Sequence, residues 1–101
     1  SGVRVFLGVT GASGAPYAER LLRALVAVDC EVGLCASRSG IEVLATELYR
    51  DATLPRDEVL RRFVGEAAVT VYDPQDWKSP FASGSAKVPS RRVLRCADMM
   101  A

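Results

Sequence analysis

Residues 3–15, VRVFLGVTGASGA, run from an almost continuous apolar segment into a turn made of small residues. The apolar part, residues 3–9, is typical of a strand that is buried on both faces of a parallel sheet. Pro16 suits the first turn of a helix, and Glu19 and Arg23 have the i,i+4 spacing of an ion pair on its outer side. The buried stripe of that helix recurs at helical spacing: Ala18, Leu21, Leu22, Leu25 and Val28.

The same alternation of strand and helix continues along the chain. Residues 31–36 (EVGLCA) and 67–72 (AAVTVY) predict a second and a third strand, and Val93 and Leu94 predict the start of a fourth. Residues 73–90 form a long loop rich in Pro, Ser and Gly, and loops of that length are often functional.

Two helices are predicted between the second and third strands. Ser39 and Glu42 have the spacing of a capping box, which predicts that the first of these helices begins there. Pro55 suits the start of the second helix and Gly65 its end. The resulting order of strands and helices predicts a parallel, doubly wound α/β sheet.

Ligands of such sheets bind beyond the carboxyl ends of the strands. The loops at those ends are residues 10–15, 36–39 and 73–90. We therefore expect these three loops to converge on one edge of the sheet and to form the site.

The composition excludes several classes of function. A formal net charge of +1 gives no indication of nucleic-acid or anionic-membrane binding, and no apolar run approaches the roughly 20 residues of a membrane helix. The absence of histidine excludes a histidine base, a Ser-His-Asp triad and histidine metal ligands within this chain. Three cysteines without CxxC spacing argue against zinc and against a disulfide framework, so we predict no metal site and a cytoplasmic location.

The turn after the first predicted strand contains the first candidate site along the chain. Gly8, Gly11 and Gly14 are spaced GxxGxxG, which differs from the dinucleotide-binding GxGxxG. A small-residue turn between a strand and a helix exposes backbone N–H groups at a positive helix end, which suits an anion or a polar cofactor edge, and Ser13 adds a hydroxyl. The alternative is a tight turn whose glycines only permit close packing.

Other candidates also have two interpretations. Ser37 lies where a ligand-binding hydroxyl is expected, or it caps the next helix, as Ser39 could. Glu47 is off the apolar stripe of its helix and has the pattern of a solvated side chain. Trp77 could wall an apolar pocket or anchor its loop, and residues 83–85 (SGS) could cradle a phosphate or form a flexible linker.

Together these segments resemble the flavin prenyltransferases of the UbiX type, in the homo-oligomeric flavin-containing cysteine decarboxylase superfamily. The resemblance rests on VTGASGAPYAERLL after the first strand, ASRSGIEVLATE across the second strand and helix, and DPQDWKSPFASGS in the long loop. It covers residues 3–85, about the N-terminal half of a typical member. It implies a Rossmann-like (flavodoxin-like) parallel sheet flanked by helices, in truncated form.

The resemblance implies that the protein joins a dimethylallyl group from dimethylallyl phosphate to reduced FMN, without a metal. The product, prenylated FMN, would serve a partner decarboxylase. Gly11, Ala12 and Ser13 would contact FMN, and Ser37 would hold it. Family members form trimers and dodecamers, so a homo-oligomer is also implied.

Roles in the reaction are implied for further residues. Ser13 and Glu47 would handle protons at the reacting centre, and Trp77 would be the aromatic wall beside the prenyl group, where its π face steadies allylic cation character. Ser83, Gly84 and Ser85 would help to bind the substrate phosphate.

The last residues depart from the family pattern. We predict a single domain over residues 1–101 in which residues 86–101 are an atypical tail, because only Cys96 matches the Pro-Cys-Ser turn that family members have there, where Arg95 and Ala97 replace the proline and the serine. The resemblance then implies weak FMN binding and doubtful activity for this chain alone.

Two alternatives belong to other functional classes. One is a non-catalytic flavin-binding module. The other is a flavin-dependent decarboxylase of cysteine-type substrates, and members with that chemistry use a catalytic histidine that this sequence lacks.

Overall fold

A computed structural model describes residues 2–75 and the backbone of residues 92–95. Trp77, residues 83–85 and, apart from those four backbone positions, the tail 86–101 therefore lie outside the described residues. Strands and helices follow one another as β1 (Arg4–Val9), α1 (Ala15–Ala27), β2 (Glu31–Ala36), α2 (Arg38–Tyr49), α3 (Arg56–Val64), β3 (Val69–Tyr72) and β4 (Arg92–Arg95).

The four strands form one parallel sheet in the order β3-β2-β1-β4. Leu7 of β1 pairs with Leu34 of β2 on one side and with Leu94 of β4 on the other. The predicted parallel α/β sheet is thus confirmed, and so is the fourth strand at Val93 and Leu94. The third strand begins at Val69, two residues after the predicted start.

One hydrophobic core joins the sheet to all three helices. Alternate residues of β1 and β2, among them Leu7 and Leu34, are fully buried against Leu22 of α1, Leu44 of α2 and Phe63 of α3. Burying each such side chain stabilises the fold by about 1.5–3 kcal/mol. The core therefore fixes which face of each helix turns toward the sheet.

The start of α2 differs from the prediction. Its N-cap is Ser37, whose backbone is extended and whose hydroxyl accepts a hydrogen bond from the Gly40 N–H at 3.0 Å. Ser39 lies inside the first turn and is exposed. The predicted capping box at Ser39 and Glu42 is wrong, because the helix begins two residues earlier, directly after β2.

The first turn of α2 packs tightly against the end of β1. A Cβ atom added to Gly40 would lie 2.1 Å from the Val9 carbonyl oxygen. The same oxygen accepts the Ser37 N–H at 2.9 Å. Only glycine at position 40 allows this approach, which places α2 beside the turn that follows β1.

Arg23 fastens α1 to the end of α3. Its guanidinium donates to the carbonyl oxygens of Phe63, at 2.6 Å, and Val64, at 3.0 Å. The predicted Arg23–Glu19 ion pair is wrong, since the described contacts of Arg23 are to these helix-terminal carbonyls, which need donors.

Gly40→Ala tests the close approach. Alanine normally favours a helix by about 1 kcal/mol over glycine, but here its methyl group would collide with the Val9 carbonyl, so we expect a net loss of about 1–3 kcal/mol in the free energy of unfolding. Urea denaturation measures it. Thr46→Ala, an exposed change on the same helix, should stay within about 0.5 kcal/mol; a stabilised Gly40→Ala would contradict the contact.

Ser37→Ala and Ser39→Ala form a matched pair for the helix cap. Losing the Ser37 hydroxyl leaves the Gly40 N–H without its acceptor and should cost about 1 kcal/mol. Ser39→Ala removes an exposed hydroxyl and should change stability by less than about 0.5 kcal/mol. Equal effects, or the reverse order, in thermal unfolding would refute the assignment of Ser37 as the cap.

Candidate functional site

Two of the three predicted loops meet at the carboxyl edge of the sheet. A Cβ atom added to Gly11, in the turn after β1, would lie 2.8 Å from the Cβ atom of Ser39, near the start of α2. The third loop begins at Asp73, after β3, and continues beyond the described residues. Residues 10–15 and 36–39 therefore converge as predicted, and the rest of the long loop stays a prediction.

Glu47, a residue of α2, caps the N-terminus of α1. Its Oε1 atom accepts the N–H groups of Gly14, at 3.1 Å, and Ala15, at 3.0 Å. Gly14 is the N-cap of α1, with a φ of 117° and no side chain that could cap the helix. The carboxylate of Glu47, carried by α2, does this instead.

This contact holds the Glu47 carboxyl group in its ionised form. Its pKa is lowered first by the hydrogen bond from the Ala15 N–H and then by that from Gly14, while desolvation opposes the shift and the nearby Ser13 hydroxyl adds the smallest lowering effect. Hydrogen bonds to the charged form favour that form. Glu47 is thus a hydrogen-bond acceptor at neutral pH that binds the N–H groups of two successive residues, Gly14 and Ala15.

Ser37 already has two hydrogen-bond partners. Its Oγ atom accepts the Gly40 N–H and lies 3.4 Å from the Val9 carbonyl oxygen, to which it donates. A hydroxyl has one donor and two acceptor positions. Ser37 can therefore offer a ligand one acceptor lone pair, so its capping role and the predicted ligand role are compatible.

A shallow cleft lies beside the turn. It is lined by residues of the turn and of one side of α2: Gly11, Ser39, Glu42, Val43, Thr46 and Glu47. Gly11 and Ser13 are exposed and Ala12 is half-buried, so the turn is reachable from solvent. Gly40, Glu42 and Thr46 were not predicted as part of this region, although a glycine within a helical pattern is a signal of close packing.

Other reactive groups in the described part do not form a second centre. Within residues 2–75, no group of three or more Cys, Asp or Glu side chains could hold a metal ion. Burial raises the pKa of the Cys35 thiol to about 11, against the opposing charge of Arg56 and with a further rise from Asp73, so the thiol is protonated at neutral pH. No described helix is long and apolar enough to cross a membrane.

Glu47→Gln should change the pH dependence of stability. The folded-state pKa of Glu47 lies below its ordinary value of 4.5, so its ionised contact stabilises the fold above about pH 4.5 and is lost as pH falls through the lower folded-state pKa. Glutamine keeps an acceptor oxygen but has no charge. The wild type should exceed the variant in unfolding free energy at about pH 7, and the difference should shrink toward about pH 3.

Urea denaturation at several pH values measures this difference. Glu42→Gln removes the same charge from the same helix without a hydrogen bond to α1, and it reports general charge effects. A difference between wild type and Glu47→Gln that is constant with pH, or equal to that of Glu42→Gln, would show that the contact does not depend on the ionised carboxylate.

Known proteins are similar to this chain in both sequence and fold, although no protein-family model matches it. It is 37% identical to the flavin prenyltransferase UbiX of Pseudomonas aeruginosa over 93% of this chain, and 38% identical to that of Aquifex aeolicus over 89%. The matches cover 47% and 44% of those relatives. The chain thus spans about half the length of the curated relatives it matches.

Three solved structures have the same arrangement. A phenylacrylic acid decarboxylase from Aquifex aeolicus matches with a TM-score of 0.61 and 34% identity, over 90% of this chain and 44% of its own. A dodecameric FMN-dependent UbiX-like decarboxylase from Escherichia coli O157:H7 gives 0.61 and 25%, over 91% and 46%. AnUbiX (PadA1), solved with FMN and dimethylallyl pyrophosphate, gives 0.57 and 27%, over 90% and 44%.

The agreement extends over nearly all of this chain and over a little less than half of each relative. The resemblance identified from the GASGA turn, the serine after β2 and the glutamate of α2 is therefore confirmed at the level of the family. In sequence and in fold, this chain corresponds to the N-terminal half of a UbiX-type protein.

Proposed function

We propose that this chain is part of a flavin prenyltransferase that joins the dimethylallyl group of dimethylallyl phosphate to reduced FMN. The proposal concerns a protein of the relatives' full length, because the chain spans about half of them. The observation on which it rests is the exposed turn at the carboxyl end of β1, where Glu47 accepts the N–H groups of Gly14 and Ala15. In support, the curated relatives are named flavin prenyltransferases, and one structural neighbour was solved with FMN and dimethylallyl pyrophosphate.

The described residues fit the polar edge of FMN. Gly11 has no side chain and Ala12 has a small one, so a flat ring can approach the exposed turn closely. Ser13 offers a hydroxyl, and Ser37 offers one acceptor lone pair. When bound, reduced FMN would supply the electron-rich ring atoms to which the prenyl carbon is joined.

Proton handling is assigned to Ser13 and Glu47. The Ser13 hydroxyl lies near enough to the Glu47 carboxylate to contribute to its lowered pKa, and the carboxylate is ionised at neutral pH. A proton that arrives at the Ser13 Oγ atom can therefore be matched by the transfer of the hydroxyl proton to Glu47. We therefore assign the pair the role of a general base beside the ligand edge.

The remaining roles are carried by resemblance alone. Trp77 would line the prenyl pocket and stabilise the positive charge that develops on the allylic group. Ser83, Gly84 and Ser85 would bind the phosphate of dimethylallyl phosphate through hydroxyl and backbone N–H groups.

Partners and location are proposed on the same basis. A homo-oligomer is supported by the dodecameric structural neighbour, and a decarboxylase would receive the prenylated FMN. A cytoplasmic location is supported by the two free cysteines of the described part, Cys30 and Cys35, since free thiols persist in reducing compartments.

Ser13→Ala and Glu47→Gln should slow prenyl transfer more than they weaken FMN binding. The test uses a chimaera in which residues 2–75 replace the matching segment of the Pseudomonas aeruginosa relative, which supplies the other half. Loss of proton handling should lower the single-turnover rate by about 100-fold or more, whereas the Kd for FMN should change by less than about tenfold, the equivalent of one hydrogen bond.

Glu42→Gln, on the same side of α2, is the matched control and should leave both quantities nearly unchanged. Lost FMN binding with an unchanged transfer rate would reverse the assignment of Ser13 and Glu47. A chimaera that binds FMN but transfers no prenyl group would favour a non-catalytic flavin-binding module instead.

A further inference from the structure

Every backbone N–H group in the first turn of α1 that could bind an anion already has a partner. Those of Gly14 and Ala15 donate to Glu47 Oε1. Pro16 has no N–H group, and the Tyr17 N–H donates to the Gly14 carbonyl oxygen at 3.0 Å. The first turn of α1 therefore has no donor left for the anionic group of a ligand.

Helix ends of this kind are otherwise common anion sites. A small-residue turn between a parallel strand and a helix points its N–H groups at phosphates, and the helix dipole favours negative charge there. In this chain the negative charge is built in, on a side chain from the neighbouring helix. A phosphate at the same place would have to displace the Glu47 carboxylate and would be repelled by it.

We propose that Glu47 determines ligand specificity by filling the anion site of α1 with an internal carboxylate. The start of α1 then rejects phosphate groups, and the neighbouring Ser13 hydroxyl offers a ligand a neutral polar contact instead. This inference does not depend on prenyl transfer, because it applies to any phosphate-bearing ligand, including a nucleotide.

The position of Glu47 is built into the packing of α2. Gly40 lies against the Val9 carbonyl oxygen, and Glu47 follows it by seven residues, or about two helical turns. Over these two turns α2 runs from its contact with the end of β1 to its contact with the start of α1. The carboxylate is thus held at the helix end by the same contacts that fix the sheet edge.

The test follows the backbone amides of Gly14 and Ala15 by NMR in the full chain, titrated with inorganic phosphate. In the wild type these two signals should not move. In Glu47→Ala they should shift in a saturable titration, and their hydrogen exchange should accelerate by about tenfold or more, the factor that corresponds to about 1.4 kcal/mol.

Glu47→Gln separates position from charge. Its amide oxygen can still accept both N–H groups, so the two amides should stay protected and should not bind phosphate. If charge repulsion alone excluded phosphate, the uncharged glutamine would instead allow phosphate to bind. Glu42→Ala removes a carboxylate from the same cleft without a contact to α1 and should behave like the wild type.

Four outcomes would overturn the proposal. Phosphate could shift Gly14 and Ala15 in the wild type, or Glu42→Ala could bind phosphate as well as Glu47→Ala does. Alternatively, Glu47→Ala could keep its fold, by circular dichroism, and yet bind no phosphate at these amides. If Glu47→Ala does not fold, phosphate binding at these amides in Glu47→Gln would equally refute the proposal.

Discussion

The contact between the first turn of α2 and the carbonyl oxygen of Val9 is the constraint on which the site depends. The Ser37 N–H and hydroxyl both donate to this oxygen, and Gly40 lies so close that no side chain fits. The end of β1 is thereby fixed to the start of α2. If a larger residue replaced Gly40, α2 would have to move away from β1, and this movement would also withdraw Glu47 from α1.

Charged side chains at helix ends then set the mutual orientation of the helices. Glu47 of α2 accepts the first N–H groups of α1, and Arg23 of α1 donates to the last carbonyls of α3. Each contact contributes about 1 kcal/mol, less than one buried leucine. The core therefore supplies most of the stability. These directional contacts select one orientation of the helices among those that the same core would allow.

Sequence patterns predict the part of this structure that is local. The apolar run before the GASGA turn predicts β1, and helical spacing predicts α1, because burial on one face imposes a period on neighbouring residues. The partner of Glu47 lies 32 and 33 positions away, so no local pattern distinguishes it from a solvated glutamate. Likewise Ser37 and Ser39 both fit a helix cap, and only the end of β2 decides between them. Trp77 lies outside the described residues, so its role stays a prediction from resemblance.

The Glu47 carboxylate holds the turn through one of its two oxygens. Both backbone hydrogen bonds use Oε1, so the position of the turn depends on one acceptor atom. The charge is shared with Oε2, which makes neither of those bonds. A backbone-bound carboxylate is normally a weak base, since its hydrogen bonds favour the ionised form. The proton handling that we propose for Ser13 and Glu47 would therefore work against the contact that holds the turn. Protonating Glu47 would weaken its hydrogen bonds with Gly14 and Ala15, so a proton transfer to this carboxylate would also loosen the start of α1.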